Sequence, residues 1–170
     1  MHYFLLGPSG VGKTTFGDWL HIYRQYHHIA IDRGDTDGMF AERLAEPWAE
    51  LRQGDPAPFV RELQERAKAE DKKGCVLTFW SVIFISPDTI GWLAKQDIAV
   101  RYLYGPKELC IQAFVRREGR PDRDRAFWSE NNKSYEAMGV PELAPYRADV
   151  IKPSGERLTG REIAELLKIV

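Results

Sequence analysis

Eight consecutive residues, Gly7-Pro8-Ser9-Gly10-Val11-Gly12-Lys13-Thr14, carry the most specific chemistry in the chain. They satisfy the pattern of a glycine, four residues, then Gly-Lys-Thr at every fixed position. The apolar run Tyr3–Leu6 precedes them and a helical pattern follows. Glycines permit the tight turn in which successive backbone N–H groups converge on an anion. The helix that begins there adds the partial positive charge of its N-terminus. Lys13 then reaches the β- and γ-phosphates of a nucleotide, and the Thr14 hydroxyl is a ligand for Mg²⁺. Loop amides from Gly7, Ser9, Gly10, Val11, Gly12, Lys13, Thr14 and Thr15 make up the expected cradle.

Such a loop fixes the cradle but not the reaction. No Asn-Lys-x-Asp segment reads guanine, and no second domain carries a motor stroke. Small phosphotransferases remain. Two carboxylates near the cradle matter for that chemistry, Asp32 at the end of the second apolar run and Asp35 in the loop Arg33-Gly34-Asp35-Thr36-Asp37-Gly38. A carboxylate orients a hydroxyl nucleophile and accepts its proton; the same acids also suit a solvated turn, as Asp37 does beside Gly38. Further on, Arg116–Arg125 holds five arginines against three acids, with a Gly and a Pro. It reads as a mobile surface segment whose guanidinium groups suit phosphoryl oxygens, or as a solvated charge run.

These groups need a scaffold. The chain of 170 residues suits one domain, 1–170, and its 44% apolar and 29% charged residues are ordinary globular chemistry. Short apolar runs at Tyr3–Leu6, His28–Ile31, Cys75–Trp80, Ile98–Tyr104 and Ala148–Ile151 predict strands. Helices are expected over Thr14–Tyr26, Met39–Gln53 (bent or stopped near Pro47), Pro58–Lys72 (ended by Gly74), Ser86 to about Lys95, Lys107–Arg117, Phe127–Met138, and from the Thr159-Gly160-Arg161-Glu162 capping box to Val170. Strands that alternate with helices imply an α/β fold, a parallel sheet with helices on both faces.

Twenty-four basic against 25 acidic side chains leave a formal charge of -1, so a polyanion-coating protein is not expected. Cys75 and Cys110 lie in apolar stretches and read as buried, reduced thiols. With no basic leader and no run of about 18 apolar residues, a cytoplasmic protein without a membrane partner is expected. His2, His21, His27 and His28 suggest neither a metal site nor a triad and read as surface or helix-end residues, and Trp19, Trp48, Trp92 and Trp128 as core.

The loop at residue 7, the short chain and the acidic end of strand two resemble the shikimate kinase and gluconate kinase group, within the nucleoside-monophosphate-kinase-like P-loop fold. The similarity in order spans nearly the whole chain and is specific in the P-loop. It implies a three-layer P-loop NTPase fold: a five-stranded parallel sheet in order 2-3-1-4-5, an acceptor-binding region at about 33–72 and an Arg-rich lid at about 117–127. It also implies ATP and Mg²⁺ as cofactors. Asp32 then corresponds to the first acid of the group's Asp-x-Asp, near Mg²⁺ and the acceptor hydroxyl. Asp35 corresponds to the second, although one residue further on. Arg117 aligns with the arginine that packs on adenine and Arg120 with the lid arginine that closes on the phosphates, with Arg123 and Arg125 as substitutes. Lys152-Pro153-Ser154-Gly155 falls where the group's loop passes the adenine, or is a plain turn.

The departures concern the acceptor. The Gly-Gly-Gly that shikimate kinases carry after strand three is replaced by Thr78-Phe79-Trp80-Ser81. Near Asn131-Asn132-Lys133 the group's substrate arginine is missing. Shikimate itself is therefore not expected. Phe79, Trp80 and Phe84 either line a pocket for a flat or apolar acceptor or belong to the core, and Thr78 or Ser81 offers a hydroxyl near Mg²⁺-bound water. The expectation is an ATP- and Mg²⁺-dependent kinase acting on a hydroxyl of a small metabolite. The alternatives are a nucleoside, nucleotide or polynucleotide kinase, nucleic acid being the less expected partner, and a non-catalytic nucleotide-binding protein.

Overall fold

In the computed structural model, residues 1–31, 43–79, 86–119 and 125–169 are described. Strand β1 (His2–Leu6) is buried at all five positions. It pairs in parallel with β3 (Gly74–Thr78) on one side and β4 (Ile98–Tyr104) on the other; β2 (Tyr26–Ala30) and β5 (Arg147–Asp149) form the edges. The sheet order is therefore 2-3-1-4-5, all parallel, as the resemblance implies. A parallel strand covered on both faces must be apolar throughout, which is why Tyr3–Leu6 does not alternate.

Successive residues of β1 feed two cores. Phe4 and Leu6 face Leu51 of α2 (Ala45–Arg52), Phe59 and Leu63 of α3 (Ala57–Ala69), and Ile90 and Leu93 of α4 (Pro87–Ala94). Tyr3 and Leu5 face Phe16 and Leu20 of α1 (Lys13–Tyr23), Cys110 of α5 (Lys107–Glu118), Tyr135 of α6 (Arg125–Met138) and Ile163 of α7 (Gly160–Leu166). Helices thus cover both faces.

The capping signals are real. Ser86 accepts from the Thr89 amide, and Thr159 and Glu162 form the reciprocal box at α7. Several expected boundaries shift. Tyr26 belongs to β2, not to the first helix, because Gln25 turns the chain in a left-handed conformation at φ 59°. Gly74 opens β3 instead of ending α3; a Cβ there would collide with the Met1 carbonyl oxygen. Pro47 sits in the first turn of α2, where a missing N–H costs little, and does not stop it. Strand β3 ends at Thr78. Residues 39–42 of the expected second helix lie outside the described residues. The last helix stops at Leu166, and a 3₁₀ turn, Pro141–Tyr146, precedes β5. Beyond β5 the chain makes a small hairpin in which Ile151 bridges Arg157 antiparallel. No helix of the described residues is long and apolar enough to cross a membrane.

Candidate nucleotide-binding site

The Gly7–Thr14 loop leaves β1 at the carboxyl end of the sheet and runs into α1, the place where parallel α/β sheets bind ligands. Two glycines are sterically required. A Cβ on Gly7 would strike the Leu103 carbonyl oxygen of β4, and one on Gly10 the Cys110 carbonyl oxygen of α5; both residues have positive φ, 149° and 82°. The loop is therefore pressed against α5, and a larger residue would push it off. Gly12, the N-cap of α1, has no side chain with which to cap the first-turn amides.

Lys13 is 5% exposed, and its Nζ donates to the carbonyls of Gly7 at 2.9 Å and Pro8 at 3.1 Å. Backbone dipoles thus offset part of the cost of burying the ammonium. Thr14 is also buried, one residue into α1, and Thr15 is exposed. Val11 contributes its backbone to the loop while its side chain packs into the core.

Two residues that grip this loop are absent from the sequence-based assignment. Arg157, on the hairpin after β5, donates to the carbonyls of Val11 (2.9 Å) and Gly10 (2.8 Å). Because a peptide's C=O and N–H point in opposite directions, a guanidinium fork that holds these two carbonyls also fixes the direction of the N–H groups that follow them. The other is Asn131 of α6, whose Oδ1 accepts from the Ser9 amide at 2.9 Å. Neither residue carries a motif, since each reaches the loop from more than a hundred residues away.

A cleft of about 260 Å³ opens beside the loop, bounded by Gly10, Gly12, Thr15, Trp19, Arg117 and Arg157 among others. Arg117 stands at its rim, 59% exposed, paired with Glu118 at 3.0 Å and over the Phe114 ring at 5.5 Å. Trp19, expected as core, is half-buried on the wall of this cleft and stacks on Phe16.

His21 sits in the last turn of α1, as expected, but the other three histidines depart from expectation. His28 is nearly buried under α1, where a Cβ on Gly17 would run into its ring. Its Nδ1 meets Asp18 Oδ1 at 2.8 Å and its Nε2 meets Thr78 Oγ1 at 3.0 Å. A carboxylate only accepts, so Nδ1 carries a proton; the fully buried Thr78 hydroxyl is held by the other nitrogen. The chain Asp18–His28–Thr78 crosses from α1 through β2 to the end of β3. His2 and His27 are buried too, at 3% and 7% exposure. Burial, reinforced by the nearby N-terminal charge, lowers the His2 pKa to about 4, and its Nδ1 accepts from the Cys75 amide.

Both thiols are buried, as expected. Burial raises Cys110 and pushes Cys75 up to about 12. Phe79 resolves to the core: 1% exposed, it packs on Phe4 at 5.0 Å and Trp48 at 5.4 Å and offers no surface to an acceptor. Asp32, Asp35, Asp37, Trp80, Ser81, Phe84, Arg120 and Arg123 lie outside the described residues.

No protein-family model matches the chain. No curated protein matches it in sequence. Solved structures do match in fold. A gluconokinase from Sinorhizobium meliloti superposes with a TM-score of 0.51 at 16% identity, over 98% of this chain and 88% of that one. A shikimate kinase from Acinetobacter baumannii, in complex with shikimate, gives 0.52 at 23% identity over 96% and 88%. A tunicamycin resistance protein from Deinococcus radiodurans gives 0.50 at 17% identity over 98% and 92%. The fold is thus the three-layer P-loop fold that the small-molecule kinases share.

Proposed function

We propose that this protein is an ATP- and Mg²⁺-dependent phosphotransferase that acts on a hydroxyl of a small metabolite other than shikimate. One observation carries the reading. A complete phosphate loop, with Lys13 buried against its own carbonyls and Arg157 bracing it from behind, sits at the carboxyl end of a 2-3-1-4-5 sheet beside a cleft.

The residues divide the work as follows. Loop amides and Lys13 hold the β- and γ-phosphates. The base lies in the cleft against Arg117. The Thr14 hydroxyl and the Asp32 carboxylate form an all-oxygen donor set, which suits a hard divalent cation. Mg²⁺ supplies charge neutralisation across the phosphate oxygens when bound. Asp32 orients the acceptor hydroxyl and takes its proton. Arg120 brings a guanidinium to the transferring group from a lid at 117–127, while Asp35 and Trp80 meet the acceptor in the same single domain. The absent Gly-Gly-Gly and substrate arginine argue against shikimate.

The test begins with nucleotide-dependent melting. ATP with Mg²⁺ at ~100 times its Kd stabilises by about 2.7 kcal/mol, and Lys13→Ala abolishes that gain. An acceptor panel then assays Asp32→Asn, which retains ATP binding and loses transfer. Stabilisation that persists in Lys13→Ala, or none with any nucleotide, overturns the reading.

A further inference from the structure

Helix α6 returns to the phosphate loop through a single side chain. Asn131 is fully buried, and its Oδ1 accepts the Ser9 amide proton at 2.9 Å. A backbone N–H can only donate, so this bond fixes which way the carboxamide faces: oxygen to Ser9, nitrogen away from it. That nitrogen, Nδ2, is buried and has no hydrogen-bond partner among the described residues. Buried amide nitrogens are nearly always paired, and an exception calls for a specific account.

Bracing the loop does not provide one. A carboxylate would accept the Ser9 proton equally well and leave no donor stranded. The feature peculiar to asparagine is the second, donating end. Through its oxygen the carboxamide lies against the phosphate loop. Lys13 Nζ holds the carbonyls of Gly7 and Pro8, the two residues immediately before Ser9. Two side chains, Lys13 from α1 through its nitrogen and Asn131 from α6 through its oxygen, therefore hold the same three-residue stretch. The ligand that would satisfy Nδ2 is rich in acceptors and carries no donors, which describes a phosphoryl group.

The cleft indicates which phosphoryl group. Its walls include Gly10, Val11, Gly12 and Thr15 but not Gly7, Pro8, Ser9 or Asn131. A nucleotide whose base occupies the cleft lays its phosphates along the loop away from it. The last of them comes to the Ser9 end. We propose that Asn131 is a nucleotide-binding residue whose Nδ2 donates to an oxygen of the terminal phosphoryl group, while its Oδ1 keeps Ser9 in place. The residue is neutral, so it adds direction and selectivity for a triphosphate over a diphosphate, with little gain in bulk attraction. This assignment rests on the kinase reading above.

The experiment compares ADP with a non-hydrolysable ATP analogue, both with Mg²⁺, by calorimetry on wild type, Asn131→Asp and Asn131→Ala. Asn131→Asp preserves shape and the acceptor for Ser9 but replaces the donor with an oxygen. We expect it to lower the preference for the triphosphate at least tenfold while ADP affinity changes less. Asn131→Ala, which adds no charge, should lower that preference several-fold. An unchanged preference, or equal losses for the two nucleotides, would reduce Asn131 to a structural brace and overturn the proposal. Should the variants not fold, the Asn131 side-chain amide resonances of wild type decide: they must shift with the triphosphate analogue and not with ADP. Wild type that binds neither nucleotide overturns the kinase reading and this proposal together. Wild type that binds both, with the variants indifferent, overturns this proposal alone.

Discussion

The two faces of the sheet are built on different principles. Toward α2 and α3, Phe4, Trp48, Phe59 and Phe79 form a closed aromatic group with ring centroids 5.0 to 6.0 Å apart. Toward α1, the same sheet carries the buried Lys13, Thr14, Thr78 and Asn131, and the nearly buried His28 that links Thr78 to the half-exposed Asp18. Dispersion and hydrophobic burial hold the first face and tolerate any filling of similar shape. The second has an apolar core too, with Tyr3, Leu5, Phe16 and Leu20, and adds directional bonds in which each polar group needs its own partner. The closed aromatic group and the phosphate-loop motif thus lie on opposite sides of one set of strands.

The largest expected effect tests the aromatic side. Phe79→Ala should cost about 3–5 kcal/mol of stability by urea unfolding, yet leave nucleotide affinity of the folded protein within about twofold, well under a 1.4 kcal/mol change. A stability loss below 1 kcal/mol combined with weakened acceptor binding would return Phe79 to the site and break the contrast.

The second prediction concerns the polar group buried at the lower edge of that same face. The folded pKa of His2 is about 4, below the ordinary 6.5 of an unfolded histidine. Between these values the unfolded chain binds more protons, so stability rises with pH. The contribution is complete above about pH 6.5 and is lost as pH falls toward 4, with a slope of at most about 1.4 kcal/mol per pH unit. His2→Asn, which can still accept from Cys75, should flatten that slope in denaturant titrations across the window. An unaltered slope would assign the dependence elsewhere.

The smallest effect sharpens the polar side. Arg157→Met retains the aliphatic stem but removes the donors to Gly10 and Val11. Nucleotide Kd should rise about tenfold, roughly 1.4 kcal/mol, with the melting temperature of the ligand-free protein shifted by only a few degrees. A Kd within twofold of wild type would show that the loop holds its shape unaided.

Legibility followed sequence distance. The phosphate loop was readable because its chemistry is contiguous: glycines, lysine and threonine act on backbone within eight residues. The strands were readable because burial on both faces demands unbroken apolar runs, and Ser86 and Thr159 because caps act within three residues. The termini of α1 and α3 were misread because Gln25 and Asp71, neither of them glycine, adopt the left-handed turns that end them. Phe79 stayed ambiguous because an aromatic residue at a strand end looks the same in sequence whether it packs on Phe4 or faces a ligand.

By itself, the sequence determined that a parallel α/β sheet presents a phosphate loop at residue 7, because both features are written in local spacing. Only the tertiary structure decided which side chains shape that loop. Asn131 meets Ser9 across 122 positions and Arg157 meets Val11 across 146. His28 meets Thr78 across 50. A hydrogen bond requires two groups about 3 Å apart. For residues so far separated along the chain, that distance is a property of how the helices and strands pack.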